Sequence, residues 1–370
     1  MIAVCLISAS YIIYKQLQYV SEKDLGFNKE QVLTFHVDNV NVRSEMPALK
    51  HELLATPLIE NVAVAGNPIG NNDLNTNGFL FEKNGEISAT SQLANKLFVD
   101  EDFLKTAGIQ LLQGRNFYKD ISTDKGGAVI INETLMKTLG YTNAIGKKMQ
   151  YPGPDNTVSN RTVIGVTKDF HAYSLQHKIE AMVMMMPPND KEKDNVYVRI
   201  AKGQITQAIA YLKKTYAKFD SYNTADFHFL SENFNKQYLS EQKQEQLSLS
   251  FTVLAFIIAC LGLLGLVIFS TAQRTKEIGV RKILGASVTS VAIMLSKDFA
   301  KLVFLATIIA VPVAWFVMNK WLEDFAYRIK IEWWMFLVSG GVAIMIALLT
   351  VSVRAIKAAI ANPAVSLRTE

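Results

Sequence analysis

Leu249-Ser-Phe-Thr-Val-Leu-Ala-Phe-Ile-Ile-Ala-Cys-Leu-Gly-Leu-Leu-Gly-Leu-Val-Ile-Phe-Ser270 runs without a charge, and after three residues comes Arg274-Thr-Lys-Glu-Ile-Gly-Val-Arg-Lys-Ile-Leu-Gly-Ala-Ser287. The first stretch is long enough to cross a bilayer, which takes about 20 residues at a rise of about 1.5 Å each. The second is too charged for hydrocarbon and so marks a membrane surface. Lys and Arg concentrate on the cytoplasmic side, which makes that surface the cytoplasmic one. Helical spacing puts Val280, Ile283 and Leu284 on one face and sets Arg274, Arg281 and Lys282 around Ile278 on the other. Glu277 and Arg281 form an i,i+4 pair. Gly285 can close this short helix, and Ser287 can cap the next. From the residues alone, the element either fixes topology or offers a contact to another protein.

Three further apolar runs lie at Met1–Leu17, Leu302–Met318 and Trp333–Val353. The third-crossing run contains Pro312, which membrane helices accommodate as a kink. Met1–Leu17 reads as an uncleaved helix rather than a signal peptide. It lacks a basic start, and Tyr11, Tyr14 and Tyr19 stand where small residues would mark cleavage. Its abrupt apolar beginning suggests a chain trimmed at its start, or half of a longer protein. Residues 271–301 and the tail 354–370 carry a basic excess, whereas 319–332 is balanced, so the first two are cytoplasmic and the third is outside. Four crossings then place residues 18–248 outside. Val288, Val291, Ala292 and Leu295 have amphipathic spacing, expected for a segment along the membrane before the third crossing.

The outer region reads as a mixed α/β (α+β) body over 18–232, with irregularly alternating strands and helices. Strands are expected at Gln31–His36, Asn61–Ala65, Ala128–Ile131, Arg161–Thr167, Ala181–Met186, Asn195–Ala201 and Asp226–Leu230. Helices are expected at Glu45–Leu54, Glu101–Ala107, Glu133–Leu139 and Ile205–Phe219. Gly70–Gly78 and Tyr151–Asn160 look like loops. From Asn233 the pattern is polar and helical, with no Gly or Pro before the second crossing. One helix over Asn233–Ser270 would be about 57 Å long, a stalk rising out of the membrane. The alternative is a break at the membrane surface.

The functional classes that remain are few. Basic residues form no nucleic-acid stripe. Cys5 and Cys260 sit in apolar runs, with no disulfide framework and no zinc spacing. Asp169-Phe-His171 with His177 is the only histidine cluster that invites a metal or acid–base reading, and it lacks metal-ligand spacing. Gly262 and Gly265 read as a close-packing pair. No phosphate-cradling G-x-x-x-x-G-K-[ST] occurs, and the apolar runs hold few ionisable groups of the kind ion-coupled transporters place at mid-membrane. No catalytic residue, metal site or cofactor is expected, and any work must draw on energy from another protein.

Thr275–Ser287 resembles the signature of the MacB/FtsX-type ABC transporter permeases (type VII ABC systems), and Asn362-Pro-Ala-Val-Ser-Leu-Arg368 is similar to their C-terminal Asn-Pro motif. Val163–His171, Gly108–Phe117 and Ala128–Glu133 resemble their extracytoplasmic core. The resemblance implies an α-helical membrane domain of four helices plus a mixed α/β (α+β) periplasmic domain with a porter-like and a β-rich part. The order would be helix 1 at 1–17, periplasmic core at 18–232, stalk into helix 2 at 233–270, coupling segment at 271–301, helix 3 at 302–318, a short loop at 319–332, helix 4 at 333–353 and a cytoplasmic tail at 354–370. It implies that a separate cytoplasmic ABC ATPase docks on Thr275, Lys276, Glu277, Ile278, Gly279, Val280, Arg281, Lys282, Ile283, Leu284 and Gly285. A second permease unit would pair with the chain in the inner membrane, and a periplasmic adaptor or outer-membrane protein could join. Motion would pass to the periplasm for export or efflux; the alternatives are switching of a cell-wall hydrolase, lipoprotein release, or a membrane-anchored sensor. Beside members that carry a cytoplasmic lead-in or two such units in tandem, this sequence reads as a single unit, or as the second half of a longer protein. Cargo is not readable, since nothing in the outer domain marks a ligand pocket by spacing.

Overall fold

The structure, a computed structural model, describes residues 1–70, 74–152, 158–189, 192–274, 277, 280–281 and 284–360. They form two bodies, one of Lys23–Tyr238 and one of Met1–Glu22 with 239–370.

The strands of the first body are β1 (Val32–His36), β2 (Ile59–Ala65), β3 (Asn75–Lys83), β4 (Glu86–Ile87), β5 (Gln92–Phe98), β6 (Leu111–Gly114), β7 (Ala128–Asn132), β8 (Lys148–Pro152), β9 (Val158–Thr167), β10 (Met182–Met185), β11 (Asn195–Ile200) and β12 (His228–Phe229). Four of them make an antiparallel sheet in the order β12-β1-β11-β2. Helices Met46–Leu53 and Ile205–Phe219 supply the other half of its core. Phe35, Val62, Val64, Val196 and Val198 pack with Leu49, Leu53, Ala208, Leu212 and Tyr216. In Ile205–Phe219 the buried residues Ala208, Leu212, Thr215 and Tyr216 recur at helical spacing, which gives the helix one apolar stripe.

The second sheet runs β4-β3-β5-β10-β7-β9-β6, and β8 pairs with both β3 and β9. That double pairing closes a six-strand circuit, β3-β5-β10-β7-β9-β8, which leaves those strands without a free edge. Phe79, Phe81, Ala94, Val129, Ile131, Met149, Val163 and Met185 share the core it encloses. Two expected loops are corrected here. Gly70–Gly78 already enters β3 at Asn75, and Tyr151–Asn160 supplies the end of β8 and the start of β9. Asn75, Thr76 and Asn77 are polar, so the apolar alternation of β3 begins only at Phe79, and in Tyr151–Asn160 the apolar Tyr151 and Val158 are separated by turn-forming residues.

The two sheets join along Val64–Gly66 and Phe98–Asp100. Ala65 bridges Val99, and Gly66 N–H donates to Phe98 O at 2.9 Å. Asp100 N–H donates to Val64 O at 3.0 Å, and Val64 N–H returns a bond to Asp100 Oδ2 at 2.9 Å.

The other body contains the helices Ile2–Glu22, Leu239–Gln273, Val288–Leu322 and Trp333–Ile360. Three stretches are long and apolar enough to cross a membrane: Leu239–Gln273, Phe299–Leu322 and Trp333–Ser352. Ile2–Glu22 falls short because Lys15, Gln16 and Gln18 follow its apolar part, so three of the four expected crossings meet that standard. It still packs among the others, with Ile12 and Ile13 against Ala314, Met318, Leu322, Met335 and Phe336.

Three expectations about these helices change. The stalk Asn233–Ser270 is not one helix, because Leu230–Lys236 ends before Leu239–Gln273 begins. Gln237 and Tyr238 close the first helix through N–H bonds to Phe234 O (3.1 Å) and Asn235 O (3.0 Å), the tighter i→i−3 pattern of a helix end. Tyr238 and Phe234 are buried in the body Lys23–Tyr238, and Gln237 Nε2 donates to Gly70 O. These anchors draw the chain off the helical path. Second, the segment expected along the membrane at Val288–Leu295 is continuous in backbone with the third apolar helix; the side chains of Val288, Val291, Ala292 and Leu295 lie outside those described. Third, among the described residues a Cβ at Gly262 or Gly265 would meet nothing within 4 Å, so neither packs closely against them. The close approach falls at Gly340, where a Cβ would lie 2.9 Å from Thr307 Cγ2.

Candidate functional site

The basic element begins where Leu239–Gln273 ends. Arg274 N–H still donates to Ser270 O at 3.1 Å, so the last turn of that helix carries the chain into it. Of the expected contact residues, Glu277, Val280, Arg281, Leu284 and Gly285 are described. Thr275, Lys276, Ile278, Gly279, Lys282 and Ile283 lie outside the described residues, as does Asn362–Arg368.

Glu277, Val280 and Arg281 have helical backbone. Arg281 Nη2 and Glu277 Oε1 are 2.7 Å apart, the i,i+4 pair expected from the spacing. Both side chains are about half exposed, so the pair orders the helix face more than it stabilises the fold. Arg281 Nη1 also contacts Met294 Sδ on the next helix. The turn ends with Leu284 N–H on Val280 O (3.1 Å) and Ala286 N–H on Arg281 O (3.0 Å). The second bond spans six residues, and Gly285 stands at φ +89°, the left-handed position of a Schellman closure. Ser287 Oγ then accepts from Ser290 N–H at 3.2 Å and caps Val288–Leu322. A glycine stop and a serine start thus define a compact helical turn between two long helices. Its described apolar residues, Val280 and Leu284, are 50% and 80% exposed. One turn apart, they share a face.

The histidine cluster is built into the fold instead. Asp169 accepts from Thr134 N–H and Oγ1, both at 2.8 Å, at the start of helix Glu133–Thr138. His171 is buried, and burial pushes its imidazole down to about 4, which keeps it neutral at ordinary pH. Among the described residues, no three His, Cys, Asp or Glu side chains gather as a metal site. One polar cluster has no counterpart in the sequence reading: Lys50, Asp100 and Asp102 meet at the joint of the two sheets. They come from separated segments, so no local spacing announces them.

Residues 1–215 match the family model of the MacB-like periplasmic core domain, and residues 249–363 match that of the FtsX-like permease C-terminal. The chain belongs to the MacB/FtsX family of ABC-system permeases. Among solved structures, it is similar to the periplasmic region of MacB from Actinobacillus actinomycetemcomitans, at 15% identity and a TM-score of 0.40, covering 58% of this chain and 96% of that one. It is similar to a permease-protein domain from Porphyromonas gingivalis at 18% identity and a TM-score of 0.37, covering 55% and 92%. It is also similar to the extracellular domain of the ABC-type transporter YknZ from Gram-positive bacteria at 14% and 0.36, covering 53% and 97%. None of the curated proteins compared with it matches. As a MacB/FtsX permease, the chain is a membrane protein with a periplasmic domain, and membership implies an ABC ATPase partner.

Proposed function

We propose that this permease subunit couples a separate cytoplasmic ATPase to its periplasmic domain, in the inner membrane and paired with a second permease unit. The observation that carries the reading is the short turn after Gln273. It is closed by Gly285 and presents Val280 and Leu284 uncovered beside the Glu277–Arg281 pair. Exposed apolar side chains on a basic surface suit a protein partner better than water. Thr275–Gly285 would form the contact, with Glu277, Arg281 and Lys282 as its polar part and Ile278, Val280, Ile283 and Leu284 as its packing part. ATP hydrolysis by the partner would move this turn, and the helix Leu239–Gln273 would carry the displacement outward for export or efflux by mechanotransmission.

Co-purification with the ATPase tests the contact. Arg281→Glu combined with Ile278→Asp should abolish association and stimulated ATP hydrolysis, while the chain still inserts and folds. Unchanged association and coupling in that variant would overturn the assignment.

A further inference from the structure

The periplasmic body holds a cleft of about 540 Å³ above the joint of its two sheets. That volume suits a small-molecule ligand, for which sites of about 300–1,000 Å³ are usual. Its floor is fixed by charge. Lys50 Nζ lies 2.7 Å from Asp100 Oδ2 and 2.7 Å from Asp102 Oδ2, and Asp102 N–H donates to Asp100 Oδ1 at 3.2 Å. Both side chains hold Lys50, so its ammonium is engaged within the floor rather than offered to a ligand. Burial would push its ammonium down, but Asp100 and Asp102 outweigh burial and hold it above the usual lysine value.

One wall is the segment from Arg115 to Gly127, and it is braced. The Arg115 guanidinium forks onto Asp124 at 2.6 and 2.8 Å, Tyr118 N–H adds a third bond to that carboxylate at 3.0 Å, and Asn116 Nδ2 donates to Glu101 O at 2.7 Å. Asp124 is buried, and its carboxyl is held below the usual range first by the Arg115 bond. This bracing sets Lys119, Ile121 and Lys125 along the cleft. Met46, Leu54 and Met186 line the cleft as well. Leu54 and Ile121 are 44% and 37% exposed, apolar surface that an occupant would cover. Lys119 and Lys125 are exposed and, among the described residues, make no ion pair. Glu101 is the lining carboxylate outside the Lys50 cluster, so the rim has a basic balance, with Lys193 added to it.

We propose that this cleft binds an amphiphilic anion, its apolar body on Met46, Leu54, Ile121 and Met186 and its carboxylate, sulfate or phosphate between Lys119 and Lys125. An apolar wall with a few placed charges is the usual make-up of such sites. The inference stands on the cleft and is independent of ATPase docking, so each can fail without the other.

The test uses the full chain in neutral phosphatidylcholine nanodiscs, without ATPase or nucleotide, and a diazirine-bearing dodecanoic acid as probe. Labelled peptides are mapped after irradiation. Labels should fall on residues 46–54, 118–125 or 186–187. Lys119→Glu with Lys125→Glu should cut that labelling about fivefold or more, the loss of two exposed ionic contacts. A diazirine-bearing dodecylamine should label these peptides about as weakly as the acid labels that variant. Both lysines are exposed, so an unchanged melting temperature should accompany the loss. Labels confined to the membrane helices, labelling unmoved by charge reversal, or equal labelling by the amine would each overturn the proposal.

Discussion

Asp100 is caught between two demands. Its backbone and carboxylate tie β2 to the second sheet, yet it is buried, and burial pushes its carboxyl up from 3.8 to about 7 against the pull of Lys50. The folded chain therefore holds a proton at this site between about pH 4 and pH 7 that the unfolded chain has released. In that window the folded state binds more protons, so this site makes stability fall as pH rises, opposite to an ordinary ion-paired carboxylate. The melting temperature of the periplasmic body should decline from the acid to the neutral end of the window. Asp100→Asn should remove that share of the decline, and equal slopes for both proteins would contradict it. Gln16 gives a second case. Wholly buried in the helical body, it donates to Tyr327 O and accepts from Ile329 N–H, both at 2.9 Å. Gln16→Leu keeps the bulk but strands two backbone groups. It should cost about 1–3 kcal/mol, read as a lower melting temperature of the solubilised chain.

Among the elements, the turn around Gly285 allows a sharp comparison. Among the described residues a Cβ there would meet nothing within 4 Å, and φ +89° is the restriction on the position. Gly285→Val should cost about 1–2 kcal/mol through the left-handed backbone and weaken ATPase association. Gly285→Asn should keep most of the association, because Asn accepts this conformation; equal loss in both would mean that the closure is not what matters. The turn was legible in the sequence because a glycine and a serine at the right spacing are local signals. So was helix Ile205–Phe219, whose stripe has the helical period. β3 and β8 were not, because polar residues interrupt the apolar alternation: Asn75, Thr76 and Asn77 open β3, and Lys148 and Gln150 flank Met149 in β8. The Lys50–Asp100–Asp102 cluster was hidden for another reason, since two sheets must fold and meet before it exists. Residue patterns report what one segment does alone, and a cleft floor is made by several.

At the scale of the whole molecule, the break at Gln237–Tyr238 changes how motion could travel. A continuous stalk would carry displacement as a rod, at about 1.5 Å per residue. Instead the rod is Leu239–Gln273, and helix is interrupted at Gln237–Tyr238 before it begins. Tyr238 is buried and accepts a bond from Leu175 N–H, while Phe234 packs on Phe27 at 5.4 Å between ring centroids. A pull passed along the chain from Leu239 would arrive first at the residues that these side chains anchor. Gln237→Ala with Tyr238→Ala removes the anchors and supplies the best helix former at both positions, which favours helix through the break. The variant should still bind the ATPase, because the turn at Gly285 is untouched. In the parent, adding ATP should alter backbone hydrogen exchange within Lys23–Tyr238, most near Leu175 and Phe27. In the variant that change should shrink while ATPase association stays at parent level. If the response survives undiminished, motion reaches the body without this junction; if association is lost as well, the substitutions have disturbed more than the junction.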